Sequence, residues 1–353
     1  MMNEIVTTML GASGVGKTTL LTSIYEDLKK INQEVNFEFA PESDTEEILQ
    51  QNLIELQSMG DQVTATEGSR GIAGTAAVAG PDSLPKFTFN LSKKTQDKKD
   101  KKLLQLTFRD YPGSYVLSNN PVGREFLKKL LRESAATILA IDTPAMIEPR
   151  KTDALNNQNW DLRKDSGRWH DARNHPEEIL DLFKSAYNRL NEPKLVILAP
   201  IKCESYVQNP DSAERLLECI QETYAPLLKF LSDPSRQKKI AVVITPVQTV
   251  GCLFFSRIYV ENFNKPRFVF RKNKSSDTYT PQDNDHLLRY LLSFLLSMHN
   301  RSQLYERSPI WKTVRKVLNH ENIFEQALGQ FAKTRKTTDG FTILQGQDLL
   351  WIK

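Results

Sequence analysis

The stretch Gly11-Ala12-Ser13-Gly14-Val15-Gly16-Lys17-Thr18 satisfies G-x-x-x-x-G-K-[ST], the Walker A phosphate-binding loop. It constrains the fold strongly, because such a loop works only between a strand and a helix. Both flanks comply. Ile5 to Leu10 is β-branched and apolar, as a buried strand requires. Leu20, Leu21, Ile24, Leu28 and Ile31 recur at helical spacing. The glycines let the backbone curl so that its N–H groups face phosphate oxygens, and the helix start adds the positive end of its dipole. Lys17 then reaches the β- and γ-phosphates, while the Thr18 hydroxyl ligates Mg²⁺, with Thr19 next in the loop. This role predicts that Lys17 faces the phosphate site and is not buried in the core.

Further along, apolar strands alternate with amphipathic helices. Glu34 to Phe39 reads as a short strand or a loop. Ser43-Asp44-Thr45-Glu46 is a capping box, and the helix it opens should end near Gly60. Asp61 to Pro85 is a long Gly-, Ala- and Thr-rich loop, a length that points to function or disorder. Lys86–Leu91 and Leu103–Phe108 read as strands joined by a lysine-rich hairpin tip. Helices are predicted at Pro121–Glu133, from Pro176, and at Ser212–Leu231; strands at Thr137–Asp142, Leu195–Ala199 and Ile240–Ile244. The pattern argues for a mostly parallel sheet covered on both faces.

Two insertions interrupt it, a polar one at about 143–175 carrying Trp160, Trp169 and several arginines, and an extra hairpin within about 251–275. Asp283 should cap a helix from His286 to His299, whose apolar run Leu287–Met298 is too short to span a bilayer and reads as core-facing. Residues 1–300 are expected to form one domain. Residues 301–353 should add a helical extension, Ile310–Phe331, and a strand-like tail.

Bulk properties exclude little. A net charge of +4 over 353 residues gives no argument for nucleic-acid binding. Cys203, Cys219 and Cys252 make no metal or disulfide pattern, which fits a reducing compartment. The N-terminus leads straight into the first strand, so no signal peptide is expected. A cytoplasmic location without a transmembrane segment is therefore expected.

Three later motifs bear on the type of nucleotide chemistry. Asp110-Tyr111-Pro112-Gly113 matches D-x-x-G directly after a strand. Pro200-Ile201-Lys202-Cys203-Glu204 follows the Leu195–Ala199 strand where [NT]-K-x-D would stand, with Ile201 for Asn and Glu204 for Asp. Thr245-Pro246 follows the next strand. With these in place the chain resembles a P-loop GTPase of the Ras-like, translation-factor-related class. More narrowly it is similar to the divergent bacterial double-GTPase-like group, over about Ile5 to His299.

That resemblance implies a six-stranded, mostly parallel sheet with one antiparallel edge strand, Mg²⁺, and GTP and GDP as substrate and product. It implies that Asp110 contacts Mg²⁺ through water and that the Gly113 N–H contacts the γ-phosphate. Glu204 would accept guanine N1–H and N2–H₂, the Lys202 stem would cover the ring, and Thr245-Pro246 would lie at the guanine carbonyl. A switch threonine should close over Mg²⁺ and the γ-phosphate from the loop before Lys86. Thr75 is the best match, with Thr66 and Thr64 next.

One departure concerns mechanism: Ser114 stands where a water-orienting Gln is common, and Ser lacks the reach and the paired donor and acceptor of an amide. Slow intrinsic hydrolysis follows, or a partner that places the water. Arg70, Arg109 and the arginines of the insertion, Arg163 and Arg168 among them, are candidate phosphate-neutralising groups. The sequence supports a slowly hydrolysing GTP switch with a protein effector on its switch loops. A nucleotide-dependent interaction module with little hydrolysis is a second possibility, and an ATP-using P-loop enzyme a third.

Overall fold

The computed structural model describes residues 4–34, 37–62, 84–93, 102–148, 169–260, 266–274, 276–300 and 342–350. Thr64, Thr66, Arg70, Thr75, Trp160, Arg163, Arg168, the hairpin tip at 94–101 and the predicted helix at Ile310–Phe331 lie outside the described residues.

Strand β1 (Glu4–Leu10) runs into the phosphate-binding loop, and helix α1 (Lys17–Glu34) leaves it. Then follow β2 (Phe37–Pro41), α2 (Ser43–Gln62), β3 (Lys86–Lys93), β4 (Lys102–Arg109), α3 (Pro121–Glu133) and β5 (Ala136–Asp142). Next come two short helices, α4 (Thr143–Ile147) and α5 (His170–Asn174), then α6 (Pro176–Ala186) and β6 (Lys194–Ile201). The chain continues through α7 (Pro210–Thr223), α8 (Ala225–Leu231), α9 (Pro234–Gln237), β7 (Ile240–Ile244), the hairpin β8 (Phe254–Val260) and β9 (Pro266–Arg271), α10 (Asp285–Asn300) and β10 (Thr342–Gln345).

The main sheet has eight strands in the order β10-β7-β6-β5-β1-β4-β3-β2, which corrects the expected six. Strands β7, β6, β5, β1 and β4 are mutually parallel. The expectation of a single antiparallel edge strand is corrected too. β3 is antiparallel to β4 but lies inside the sheet, because Phe37–Pro41 adds β2 beyond it. At the other margin β10 pairs antiparallel with β7. The added strands occupy both margins, so the backbone groups of β3 and β7 that a six-stranded sheet would leave open are paired.

Alternation along the central strands divides two apolar layers. Leu195, Ile197, Ala199 and Ile201 of β6 face one layer with α1 and α10. Val196 and Leu198 face the other with α3, α6, α7 and α8. Both faces are thus covered, which is why these strands read as continuous apolar runs. The apolar run of α10 packs inward: Leu287, Leu288, Leu291, Leu292, Phe294, Leu295 and Met298 are all buried against this sheet. Burial of each such side chain contributes about 1.5–3 kcal/mol. Among the described residues no helix is long and apolar enough to cross a membrane.

Local chemistry sets the helix ends. The Asn120 side chain accepts from the Gly123 N–H at 2.9 Å, and Pro121 begins α3. Asn209 and Ser212 cap α7 reciprocally, with Pro210 at its start. The single helix expected over Ser212–Leu231 is two, α7 and α8, divided at Tyr224. Pro226 has no N–H to continue the ladder.

Candidate nucleotide-binding site

Five parallel strands deliver their carboxyl ends to one side of the sheet, the position at which open α/β sheets bind ligands. β1 ends in the phosphate-binding loop, β4 in Asp110, β5 in Asp142, β6 in Lys202 and β7 in Thr245. The loop takes the required backbone: Gly14 has φ +73° and Gly16 φ +114°. Ala12 and Val15 are buried and hold it to the core, while Ser13 and Gly14 are exposed.

Lys17 differs from expectation. It is only 6% exposed, and its Nζ donates to the carbonyls of Gly11 (3.0 Å) and Ala12 (3.1 Å). Its side chain folds back along the loop beneath the Tyr111 ring, whose centroid lies 5.5 Å from Nζ. Burial lowers the Lys17 pKa, and the nearby Asp110 carboxylate opposes this. The ammonium remains in the phosphate-binding loop but is capped by an aromatic ring. D-x-x-G patterns leave the residue at position 111 open, so the cap was not evident from the motif.

Asp110 is buried and meets the start of α1, where the Thr18 hydroxyl donates to its Oδ2 at 2.8 Å. The Tyr111 N–H donates to Oδ1 at 2.9 Å. Two hard oxygens, one hydroxyl and one carboxylate, therefore sit side by side at the loop, a donor set suited to Mg²⁺. Among the described residues no group of three or more His, Cys, Asp and Glu converges as an all-protein metal site.

Gly113 starts a short 3₁₀ turn, Gly113–Val116, that also contains Ser114. It crosses the phosphate-binding loop so closely that a methyl group here would fall 1.9 Å from the Ser13 nitrogen and 2.2 Å from the Ala12 carbonyl carbon. Only a hydrogen fits. Asp110, Gly113, Lys17 and Thr18 are thus gathered in one place, with Gly11 to Thr19 forming the turn around them.

After β6, Lys202 has φ +56°, rare for a residue with a side chain and common where strain serves a site. Its Nζ donates to Asp142 Oδ2 at 2.6 Å and to the Gly14 carbonyl at 3.0 Å, tying this loop to the phosphate-binding loop. Ile201, standing where the [NT]-K-x-D pattern has Asn, carries no polar side-chain atom for such a tie. With Ile201 there, Lys202 makes one of its own. Glu204 is 3% exposed, and its Oε1 accepts the N–H groups of Val250 (3.1 Å) and Gly251 (3.2 Å). Burial raises its pKa, and these backbone hydrogen bonds partly offset that. One of its two oxygens therefore serves the chain's own backbone. Thr245 and Pro246 are buried, and the chain stays extended to Val247, whose N–H donates to the Pro200 carbonyl at 2.9 Å.

One residue of this cluster was missed in the sequence, Asp142; Arg173 is among the insertion arginines already named as candidates. Asp142 was read only as the end of a strand. A carboxylate that closes an otherwise apolar strand needs partners, and that was the available signal. It is fully buried, bonds Lys202, and accepts from the Ala145 N–H at 3.3 Å. Of the described residues of the insertion after β5, Ala145, Met146, Trp169 and Asn174 are buried. Trp169 packs with Ala145 and with Phe268 of β9, which docks the hairpin onto the insertion. Arg109 faces Glu4 at 3.7 Å along the strands, outside the phosphate site.

No protein-family model matches the chain, and no curated protein matches it. Among solved structures it is similar to the S. cerevisiae Ski7 GTPase-like domain bound to GTP, at 15% identity and a TM-score of 0.33. It is also similar to that domain bound to GDP and inorganic phosphate, at 14% identity and a TM-score of 0.30. Each match covers 69% of this chain and 42% or 43% of the other, so the chain spans less than half the length of those structures. A likeness this distant assigns no role to any residue here.

Proposed function

We propose that this protein binds GTP with Mg²⁺ and hydrolyses it slowly to GDP and phosphate as a conformational switch. The observation that carries the reading is the convergence of Lys17, Thr18 and Asp110 at the carboxyl ends of β1 and β4, with Gly113 against the same loop. The amides of residues 11–19 would cradle the phosphates, and Lys17 would turn from the Gly11 and Ala12 carbonyls to the β- and γ-oxygens. Thr18 and Asp110 would hold Mg²⁺, with Thr75 closing from the switch loop. The ion's chemistry is to neutralise charge on the β- and γ-oxygens. The Gly113 amide would contact the γ-phosphate and report its loss to the turn that contains Ser114. Base choice would rest on Lys202 and Glu204, with Thr245 and Pro246 at the guanine carbonyl. Because one Glu204 oxygen holds the Val250 and Gly251 amides, guanine must use the other oxygen or release that loop.

A protein effector on the switch loops, a cytoplasmic location and a place near the bacterial double-GTPase-like group complete the reading. The location is supported by three free cysteines, two of them buried. A second reading is an interaction module that hydrolyses little. Ser114 favours it, since the turn after Gly113 offers no amide side chain at that position to orient water. Titration calorimetry with GTP, GDP and ATP, followed by single-turnover hydrolysis, separates these. Tight binding of GTP and GDP over ATP, lost in Lys17→Ala with the fold intact, is the expected result. Full affinity in Lys17→Ala overturns the phosphate-loop reading, and equal affinity for ATP and GTP overturns the guanine assignment.

A further inference from the structure

Three cationic side chains of the described residues lie at the phosphate-binding loop. Lys17 is bonded within the loop, and Lys202 is bonded to Asp142 and the Gly14 carbonyl. The third, Arg173, is differently placed. A methyl group on Gly14 would lie 3.5 Å from its Nη2 and 3.9 Å from its Nη1, so its guanidinium stands directly over the middle of the loop. Its carboxylate neighbour is Asp142 Oδ2, at 3.9 Å, an ion-pair distance with no hydrogen bond; that same oxygen is already 2.6 Å from Lys202. Its Nε is buried and finds no hydrogen-bond partner among the described residues. A guanidinium has five N–H donors in a fixed fork that suits phosphate.

The backbone beneath it is held in place. Asn174 clips α5 to the end of β5, accepting from the Asp142 N–H at 2.8 Å and donating to the Asp142 carbonyl at 3.1 Å. The Phe268 ring of the hairpin lies 5.5 Å from the Arg173 guanidinium carbon, a cation–π distance that gives the charged group a platform.

We propose that Arg173, delivered in cis by the insertion after β5 and seated on Phe268, is a phosphate-contacting residue on the β-phosphate side of the bound nucleotide. The side follows from position. Gly113 crosses the loop at Ala12–Ser13, which the reading above assigns to the γ-phosphate, whereas Arg173 stands at Gly14, the residue whose carbonyl also accepts from Lys202. The inference rests on the nucleotide reading above. In hydrolysis, water oxygen bonds to the γ-phosphorus and the bond to the β–γ bridging oxygen breaks. That electron pair stays on the nucleoside diphosphate, and the water's proton ends on inorganic phosphate. Arg173 would stabilise the charge gathering on the bridging and β-oxygens.

The test measures Kd for GTP and GDP, and the single-turnover rate at saturating GTP, in the full chain and in Arg173→Ala, Arg173→Lys, Phe268→Ala and Lys17→Ala. Arg173→Ala should weaken GTP and GDP alike by about tenfold and slow turnover by more than that. Arg173→Lys, which keeps the charge but loses the fork, should fall between, and so should Phe268→Ala, which keeps the arginine and removes its platform. Affinities and rate within twofold of the parent in Arg173→Ala overturn the proposal. So does a loss confined to GTP, which would place the contact on the γ-phosphate. If Arg173→Ala does not fold, Arg173→Lys and Phe268→Ala decide by the same twofold limit. If the parent binds GTP without turnover, the affinities alone decide. Failure of the underlying reading is distinguishable, because Lys17→Ala would then bind nucleotide as well as the parent does.

Discussion

Gly113→Ala tests the crossing of the two loops most directly. The added methyl would lie 1.9 Å from the Ser13 nitrogen, 2.2 Å from the Ala12 carbonyl carbon and 2.4 Å from the Ser13 Cα. All three atoms are backbone, so no side chain can swing aside. Ordinary contact begins near 3.4 Å, so the two segments must separate by about 1.5 Å. Insertions of this kind into packed regions cost about 1–3 kcal/mol. At roughly 2–4 °C per kcal/mol, the melting temperature should fall by about 2–12 °C.

If the Gly113 amide contacts the γ-phosphate as proposed, the same retreat carries it away. A hydrogen bond to a charged group is worth about 1.5–3 kcal/mol, so GTP should lose tenfold or more relative to GDP. Gly14→Ala is the matched control. There the nearest atom is Arg173 Nη2 at 3.5 Å, so space is adequate, but φ is +73° and the cost is roughly 1–2 kcal/mol of backbone strain. Position 113 thus requires glycine for room and position 14 for conformation. Scanning calorimetry and nucleotide titration on both variants check this. A Gly113→Ala protein that melts within 1 °C of the parent, with an unchanged GTP-to-GDP ratio, would show that the loops do not touch as described.

Burial pushes the Lys194 pKa from 10.5 down to about 8, against the pull of Glu192 and Glu133. Between these values the unfolded chain binds the proton more, so this group's contribution to stability rises with pH through the window, by about 3 kcal/mol in all. Denaturant unfolding of the parent and Lys194→Met from pH 7.5 to 10.5 should show their difference moving in the parent's favour; a flat difference refutes it. Glu204→Ala leaves the Val250 and Gly251 amides without their acceptor and should cost about 1–3 kcal/mol, read by urea unfolding, and also remove preference for GTP over ATP. Glu204→Gln, which keeps an acceptor oxygen, should restore most of the stability. Hydrogen exchange near Thr75 should slow with a non-hydrolysable GTP analogue and not with GDP, and Thr75→Ala should erase the difference; protection at Thr66 instead would move the role to that residue.

What the sequence determined by itself is local. A phosphate-binding loop needs its glycines, lysine and threonine at fixed spacing because one turn of backbone must surround a phosphate, and Gly11–Thr18 is legible without any partner. The central strands are equally legible, since burial on both faces makes them mostly apolar, and β7 runs over Ile240–Ile244 as read. The tertiary structure decided everything that depends on which distant segments meet. Pairing at a sheet margin depends on which strand lies nearby, and β10 reaches β7 from about a hundred residues along the chain. That is why six strands became eight. The charge placement at the site has the same cause. Asp142 ends β5, Lys202 follows β6 and Arg173 lies within α5, and Glu204 bonds amides 46 and 47 residues away. No spacing rule connects them, because a buried carboxylate accepts whichever donor the fold brings to it.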